Sequence, residues 1–485
     1  MTRRTAFPFP TGRGARSAAA LLLTLASAGA SPLLAQGGPR SASERPFGTL
    51  REQAELQQQW LDERMRTALP ALMRESGIDT WVIPMREYNE DPTFTSLVSP
   101  TTFAARRRTI YLFHDACMAA GRPSGADCPL ERIALGGTSQ GGVYTAVRAD
   151  QVVDAGASQR PAELWGDSQW LVLRRELERR SPKRIGINVS RTFAFADGLT
   201  AAELEGMKEG IGAELSARLT PAESLPIAFI ATRVPGEAAA YARMNALVWE
   251  IIGTAFSNEV ITPGVTTTQD VVWWLRQRVN DLGLTTWFQP SVSVQRSGAT
   301  EAQLGENPVI QAGDVLWTDF GLTAMRLNTD TQHMGYVLRA GETEAPPGLK
   351  AALTRSNRLQ DIVMAEIRPG RTGNEILAAS LARMKSEQID GTVYSHPIGT
   401  HGHGAGPLIG LWDRQEGVPG RGDAKVLPNM WYSIELQATS PIPEWNGQRV
   451  RMAQEEDMMI GADGVPRWAH GRQTTFHLVR PAGGR

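Results

Sequence analysis

The sequence predicts a mixed α/β (α+β) protein with two domains behind an N-terminal export signal. Strands alternate with helices through the first half of the chain, which is the pattern of an α/β domain. In the second half a Pro-Gly turn leads into a helix twice, and apolar strands there contain isolated acidic residues. The 485 residues, 41% of them hydrophobic, suffice for more than one core. We place the signal peptide at 1–35, the first domain at 46–231 and the second at 232–485.

The first 35 residues have the composition of a secretory signal peptide. Four arginines (Arg3, Arg4, Arg13 and Arg16) precede an apolar stretch from Ala18 to Ala30, and no acidic residue occurs before Glu44. The apolar stretch is shorter than a helix usually needs to span a membrane. We therefore expect a periplasmic or secreted protein with no membrane attachment after cleavage. The alternative is a disordered or anchoring N-terminus.

The net charge of the chain gives no reason to expect a nucleic-acid partner. The net charge is −1, so no overall field attracts nucleic acid, and we expect no nucleic-acid partner.

The two cysteines of the chain lie close together in the sequence. Cys117 and Cys128 are the only cysteines and bracket a turn-rich segment. In an exported chain this arrangement favours a disulfide between them, and two free thiols are the alternative.

Helical and strand patterns alternate from residue 46 to 231. We predict a helix over Leu50–Glu75 that Pro70 interrupts. The other predicted elements are strands at Thr109–Phe113, Arg132–Leu135 and Arg184–Asn188, and helices at Ala162–Arg179 and Thr200–Leu219. No group of catalytic side chains is evident in this region. We therefore expect a structural or subunit-contact role for the first domain.

The second domain contains a sequence pattern that occurs twice, which we call the internal echo. It follows the long predicted helix Ala238–Ser257. Thr262-Pro-Gly and Arg368-Pro-Gly are each followed by a threonine and then by helical apolar spacing. Strand segments with acidic residues follow each copy. The echo favours a two-fold α/β repeat, although a Pro-Gly turn before a helix also arises by chance.

Five residues of the second domain form a candidate metal-ligand set. They are Asp319, Asp330, His403, Glu435 and Glu456. Taken singly, each is explained by a turn, a cap or an ion pair. Glu435 is harder to explain this way, because an unpaired carboxylate in the apolar run Trp-Tyr-Ser-Ile-Glu-Leu is costly. Four carboxylates and an imidazole suit two divalent ions of the Mn, Zn or Co kind better than a closed structural zinc site.

The order and contexts of these residues resemble the pita-bread metallopeptidase family, which includes Xaa-Pro aminopeptidase and prolidase and has creatinase as a metal-free relative. The matching segments are Thr318-Asp-Phe-Gly, Asp330-Thr, Gly402-His-Gly-Ala-Gly, Pro428-Asn-Met-Trp-Tyr-Ser-Ile-Glu and Glu456-Asp457. The resemblance implies a creatinase-type N-terminal α/β domain followed by a pseudo-two-fold pita-bread catalytic domain.

The same resemblance implies a function and residue roles. The chain is expected to be an exported aminopeptidase or dipeptidase of Xaa-Pro type that holds two divalent ions, Mn²⁺ or alternatively Zn²⁺ or Co²⁺. Asp330 and Glu456 would bridge the ions, Asp319 would complete one site, and His403 with Glu435 would complete the other. A metal-bridging hydroxide would attack the N-terminal peptide bond, with Glu435 shuttling the proton. The expected partners are a peptide substrate and a second copy in a homodimer.

Two family histidines are missing from their usual places in the sequence. Seven residues after His403 the chain has Gly410, and about seventeen residues before Asp319 it has Ala302. His396 and His401 are therefore added to the catalytic candidates, beside His403 and Glu435.

Several alternatives stay open at this point. His401 competes with His403 as the metal ligand, and Glu455 competes with Glu456. For function, the alternatives are a non-catalytic metal- or ligand-binding member of the fold and a metal-dependent hydrolase of another amide.

The signal-peptide assignment makes a direct prediction. The mature chain should begin after Ala30 or Ala35 and be recovered outside the cytoplasm, because a basic, acid-free start before a short apolar stretch directs cleavage by a signal peptidase. N-terminal sequencing of the purified protein measures this. Recovery of Met1 on cytoplasmic protein would contradict it.

Overall fold

Two β-sheets organise the protein in the computed structural model, which describes residues 45–123, 128–147 and 167–481. The strands of the first sheet all precede residue 222, and those of the second all follow residue 290. Ala42–Arg485 forms a single contact unit, so the boundary at 231/232 stays a prediction. The predicted signal peptide at 1–35 lies outside the described residues, as does the start of the helix predicted from Ala162.

The first sheet has six strands in the order β4-β3-β2-β1-β5-β6. Their bounds are β1 Thr80–Arg86, β2 Arg108–His114, β3 Glu131–Leu135, β4 Thr145–Val147, β5 Ile185–Ile187 and β6 Leu219–Pro221. The associated helices are α1 Leu50–Glu63, α2 Leu69–Ser76, α3 Phe94–Leu97, α4 Ala116–Ala119, α5 Ser168–Arg180, α6 Ala201–Ile211, α7 Ala213–Ser216 and α8 Ser224–Ala231. The three strands predicted here are present, with bounds shifted by at most one residue. The helix predicted to end at Arg179 ends at Arg180, and the one predicted over Thr200–Leu219 is divided at Gly212 into α6 and α7, with Leu219 already in β6.

Helices cover both faces of the first sheet. On one face, Trp81 and Ile83 of β1 pack with residues of α1, α2 and α8. On the other, Val82 packs with residues of α5 and α6. Because successive side chains of a strand point to opposite faces, a central strand covered on both sides is apolar at nearly every position. β1 shows this pattern, since its first six residues are buried.

The long N-terminal helix deviates from the prediction at Pro70. The chain does not break there; a π-helical turn at Arg64–Ala68 joins α1 to α2, and Pro70 lies in the first turn of α2. Proline is tolerated at that position because the first helical N–H groups have no intrahelical acceptor. The change of helical pitch thus accommodates the proline without ending the helix.

The second sheet has nine strands. The main path runs β12-β14-β15-β11-β8-β7, with β13 paired to β14, β16 to β15 and β17 to β11. Their bounds are β7 Ser291–Gln295, β8 Val315–Phe320, β11 Thr331–Val337, β12 Asp390–Val393, β13 His396–Ile398, β14 Trp431–Ile442, β15 Gln448–Ile460, β16 Pro466–Trp468 and β17 His477–Val479. A separate hairpin joins β9 Thr323–Ala324 to β10 Leu327–Asn328. The helices of this part are α9 Pro235–Ala255, α10 Thr268–Asp281, α11 Glu301–Leu304, α12 Pro347–Glu366 and α13 Gly373–Ser386.

The internal echo corresponds to a repeated helix start. α10 and α13 each begin with a capping box, in which the Thr267 or Thr372 side chain accepts from the backbone N–H three residues later. Asp270 and Glu375 return the bond to the backbone of the capping threonine. Both helices therefore satisfy their first donors in the same way, as the sequence predicted.

The helices leave one face of the second sheet free for polar side chains. Ile434 and Leu436 of β14 pack against Leu359 of α12 and Ile376 of α13. Ser433 and Glu435 alternate with them and so point away from these helices. We call this opposite side the inner face.

Cys117 and Cys128 form a disulfide, as predicted. Within the described ranges, no helix combines the length and the apolar character needed to span a lipid bilayer.

The β9–β10 hairpin ties the second sheet to a loop that follows β1. Met325 and Arg326 occupy its turn with positive φ values of 50° and 62°. The Arg326 guanidinium donates to four backbone carbonyls, of Thr95, Val98, Ser99 and Thr102, at 2.8–3.1 Å. One side chain thus holds the segment from Thr95 to Thr102, which includes part of α3, against the β9–β10 hairpin.

Replacing Arg326 by Ala should lower the free energy of unfolding by about 2–3 kcal/mol, because four carbonyls lose a charged donor together. Chemical denaturation measures the change. Arg174→Ala is the matched control, since Arg174 makes an exposed pair with Glu178 alone and should cost under about 1 kcal/mol. Equal costs for the two variants would contradict the proposed role of the clamp.

Candidate metal centre

Strand register brings acidic residues from three strands to the inner face. Glu435 of β14 lies directly opposite Glu455 of β15. Glu455 in turn faces Gln332 of β11, and Gln332 faces Asp319 of β8. Residues that are directly paired across strands share a face. The pairing therefore sets these four side chains in a row across the sheet.

Asp330 and two histidines complete the cluster. Asp330 directly precedes β11, and His396 begins β13, where it pairs with Ser433. Three groups have ligand atoms that all lie within 4.8 Å of one another: Asp319 with Asp330 and Glu455; His396 with Glu435 and Glu455; and Asp330 with His396 and His403. The groups share members, so they form one continuous cluster.

His396 is oriented toward the carboxylates by its own backbone. Its Nδ1 lies 3.0 Å from the Pro397 carbonyl oxygen, which can only accept, so Nδ1 carries the proton. The Nε2 lone pair then points into the cluster, 3.3 Å from Glu455 Oε1, 3.7 Å from Asp330 Oδ2 and 3.9 Å from Glu435 Oε2. A backbone bond to the second ring nitrogen is the usual way in which a metal-binding imidazole is fixed.

The cluster concentrates negative charge where there is little water. Asp330, Glu435 and Glu455 are buried, and among the described residues His396 is their only potential cationic partner within 4.0 Å. Burial, with the neighbouring carboxylates, raises the pKa of Asp319, of Asp330 and of Glu435 well above the ordinary range. Two like charges less than 5 Å apart repel by about 3–4 kcal/mol at an effective dielectric constant of 20. The cluster therefore needs either protons or cations.

The donor atoms fit divalent metal ions. Asp319 Oδ1, Asp330 Oδ1 and His396 Nε2 are buried and have no hydrogen-bond partner in the part of the chain that the structure describes. Unsatisfied buried polar atoms are rare in folded proteins unless water or an ion completes them. Four carboxylates with one imidazole match the preferences of Mn²⁺, Co²⁺ and Zn²⁺. Asp319, Asp330, His396, Glu435 and Glu455 are thus the residues that would hold metal.

Glu456 requires a correction to the predicted ligand set. Its carboxylate accepts from Trp249 Nε1 at 3.1 Å and from the Gln473 backbone at 2.8 Å, and it lies 3.0 Å from His333 Nε2. These partners lie on the side of the sheet opposite to the cluster, because Glu456 alternates with Glu455 along β15. Glu455 occupies the position that the sequence analysis gave to Glu456. Asp319, Asp330 and Glu435 lie in the cluster.

The histidines also change places. His396, a catalytic candidate in the sequence analysis, has its Nε2 at the centre of the cluster, whereas His403 is the exposed member at its edge. His401 lies in none of the three groups; its ring is tilted by 43° against that of Phe195, with the centroids 4.6 Å apart. Burial lowers the pKa of His403 and of His401 to about 4, so both are neutral at neutral pH.

With His396 and not His403 as the metal ligand, one of the two apparent departures from the family pattern disappears. That pattern has a second histidine seven residues after the metal ligand. Counted from His396, the seventh residue is His403, and Gly410 no longer marks a missing imidazole. The ring centroids of the two histidines are 4.8 Å apart.

Sequence reasoning missed the residues that support the ligands. Gln332 Nε2 donates to both Glu435 and Glu455. Asp457 Oδ2 accepts from the Tyr241 hydroxyl and from the Asp330 backbone N–H. One signal was available: Asn446-Gly447, with φ values of 54° and 79°, marks the β14–β15 turn. The loop of five residues left the register open, however, and the register alone selects Glu455.

Comparison with known proteins agrees with this geometry. Residues 241–461 match the model of metallopeptidase family M24, and all five proposed ligands lie in that segment. The segment that contains the cluster is therefore similar to the M24 metallopeptidases. This family is one of metal-dependent enzymes, which confirms the resemblance drawn from the sequence. No curated protein matches the chain.

Solved structures show the same fold over most of the chain. The X-Pro aminopeptidase of Thermotoga maritima MSB8 is 14% identical, with a TM-score of 0.55, and the match covers 84% of this chain and 100% of that one. The Xaa-Pro dipeptidase of Bacillus anthracis is 17% identical, with a TM-score of 0.53 and coverage of 87% and 99%. The N-terminal domain of FACT complex subunit SPT16 from Cicer arietinum is 11% identical, with a TM-score of 0.51 and coverage of 86% and 98%. The predicted two-part fold is thus confirmed.

A close backbone approach places Asp319 and Asp330 together, and it can be tested at Gly321. A Cβ at this position would lie 2.1 Å from the Thr329 carbonyl oxygen, immediately before Asp330. Gly321→Ala should therefore lower the free energy of unfolding by about 1–3 kcal/mol and weaken Mn²⁺ binding. Denaturation of the metal-free protein and calorimetric Mn²⁺ titration measure the two effects.

Gly471→Ala provides the control for this variant. An added Cβ there meets no atom closer than 3.8 Å. It should leave Mn²⁺ affinity unchanged. If Gly321→Ala behaved in the same way, the close approach would not control the site.

Proposed function

We propose that this protein is an exported aminopeptidase or dipeptidase of Xaa-Pro type that hydrolyses the N-terminal peptide bond with two divalent metal ions. The observation that carries the proposal is the convergence of buried, cation-poor ligands inside the segment that is similar to the M24 metallopeptidases. Two bound ions, proposed as Mn²⁺ with Zn²⁺ or Co²⁺ as alternatives, would polarise the scissile carbonyl and lower the pKa of a water.

Glu435 is the residue best placed to move a proton. Its Oε1 accepts from Gln332 at 2.7 Å, while Oε2 faces the interior of the cluster. Without a cation, burial and the neighbouring carboxylates raise the pKa of this carboxyl. A carboxylate oxygen of Glu435 would take a proton from the attacking water and return it to the leaving amine nitrogen.

His403 is placed to act on the substrate. It is the exposed member of the cluster and is uncharged at neutral pH, so its ring N–H can donate to the carbonyl oxygen as negative charge develops there. Stabilising that charge requires a donor that is already in place, and contacts with two aromatic rings, Trp287 and Tyr394, support the position of His403.

Those aromatic rings indicate what the site accepts. Trp287 lies 5.2 Å from the His403 ring and Tyr394 lies 6.1 Å from it. Trp412 extends this wall outward, edge-on to Tyr394 at 5.8 Å. A wall of aromatic rings favours an uncharged side chain such as the prolyl ring. The Thermotoga protein is an X-Pro aminopeptidase and the Bacillus protein an Xaa-Pro dipeptidase, which supports the same choice for this chain.

Export is the second part of the proposal. It rests on the basic, acid-free N-terminal segment and agrees with the Cys117–Cys128 disulfide, since such bonds persist in oxidising compartments. The homodimer stays a prediction.

Adjacent glutamates provide the test of the proposed function. Wild-type protein loaded with Mn²⁺ should release the N-terminal residue from Xaa-Pro peptides, and Glu455→Gln should lose more than about 100-fold of this activity together with bound metal. Activity on a peptide panel and metal content after dialysis are the measurements. Panel members without proline reveal whether another amide is preferred.

Glu456→Gln is the matched control, because Glu456 is equally buried but faces the other side of the sheet. It should keep its metal and its activity while losing some thermal stability. A wild type that binds Mn²⁺ and hydrolyses no peptide would favour a non-catalytic member of the fold. Loss of metal in Glu456→Gln but not in Glu455→Gln would contradict the ligand assignment.

A further inference from the structure

Gln332 lies between two of the proposed ligands and is itself no ligand. It is the second residue of β11 and is 2% exposed. Its Nε2 donates to Glu435 Oε1 at 2.7 Å and to Glu455 Oε2 at 2.8 Å. A single amide group therefore links two carboxylates that come from neighbouring strands.

The orientation of this amide is fixed. Gln332 Oε1 accepts from the Trp317 indole N–H at 3.1 Å. Because an indole nitrogen can only donate and an ionised carboxylate can only accept, a flipped amide would lose all three bonds. Trp317 thus keeps both N–H bonds of Gln332 directed at the glutamates.

The amide selects which carboxylate oxygens are free. Gln332 occupies Glu435 Oε1 and Glu455 Oε2, and the remaining oxygens, Glu435 Oε2 and Glu455 Oε1, lie 3.9 Å and 3.3 Å from His396 Nε2. The Ser433 hydroxyl donates to Glu455 Oε1 at 2.6 Å from the same face, which leaves that oxygen one further lone pair. The oxygens directed toward the imidazole are the ones available to a cation.

The neutrality of the group matters as much as its geometry. An arginine or lysine at this position would also satisfy the two glutamates, but its charge would repel a metal ion from the same cluster. An amide supports both carboxylates and leaves their negative charge for the ion. This combination distinguishes Gln332 from a residue selected for folding stability alone.

We propose that Gln332 is a positioning residue that holds Glu435 and Glu455 in the arrangement required for metal binding. The inference rests on the proposed function, because it assumes that this cluster binds divalent ions. Removing such a supporting partner typically costs 10–100-fold in metal affinity.

The test compares two buried glutamines on opposite faces of the sheet. Gln332→Met keeps the size and apolar stem but removes the donor. Gln454→Met makes the same change next to Glu455, where the side chain bonds Asn357 and the Gln473 carbonyl instead. Trp317→Phe, which frees the amide to rotate, serves as a second variant should Gln332→Met fold poorly. Mn²⁺ titration calorimetry, thermal unfolding of the metal-free forms, and kcat and KM are measured for each.

We expect Gln332→Met to bind Mn²⁺ about 10–100-fold more weakly, Trp317→Phe to weaken it less, and Gln454→Met to lower the melting temperature with unchanged Mn²⁺ affinity. Wild-type affinity in both Gln332→Met and Trp317→Phe would overturn the inference while leaving the proposed function intact. An equal loss in Gln454→Met would overturn it too, by showing a general effect of core damage. A wild type that binds no Mn²⁺ would overturn the inference and the proposed function together.

Discussion

The burial of several carboxylates on one face of a sheet is the constraint on which the rest of this protein depends. Asp330, Glu435 and Glu455 are withdrawn from water, and the described residues offer them one imidazole as a potential cation. Such an arrangement is unfavourable for an empty protein, because each ionised group needs a partner. Metal ions provide that partner and, by binding only the folded arrangement, add to its stability. The buried carboxylates therefore both destabilise the metal-free fold and provide its capacity to bind metal.

The sheet accommodates the buried carboxylates because its two faces carry different kinds of side chain. Ile434 and Leu436 pack against helices, and Ser433 and Glu435, one residue away, face the cluster. Apolar packing on one side fixes the strands in place, and the strands in turn fix the positions of the polar groups on the other side. Hydrogen bonds then refine those positions: Asp457 holds the Asp330 backbone. A rigid strand scaffold is a better support for a ligand set than loops would be.

The neighbouring glutamates of β15 show how strictly this separation operates. Glu455 and Glu456 are equally buried, yet one lies among the proposed ligands and the other among Trp249, His333 and Gln473. Their chemistry is identical and only the pleat distinguishes them. The two histidines differ in another way: His396 is held by the strand β13, whereas His403 lies in the turn that follows and is exposed.

The sequence by itself determined the two-part α/β architecture, the repeated helix starts at Thr267 and Thr372, and three of the proposed ligands, Asp319, Asp330 and Glu435. The architecture and the helix starts follow from local patterns, which are the alternation of apolar residues and capping chemistry, and the ligands follow from their order and contexts, which resemble the pita-bread family. The choice of Glu455 over Glu456 and of His396 over His403 was decided only by the tertiary structure. It depends on the register of β14 with β15 and of β13 with β14, which arises from contacts between distant segments. A shift of one residue in such a register exchanges the two faces of a strand, so composition and spacing along the chain cannot fix it.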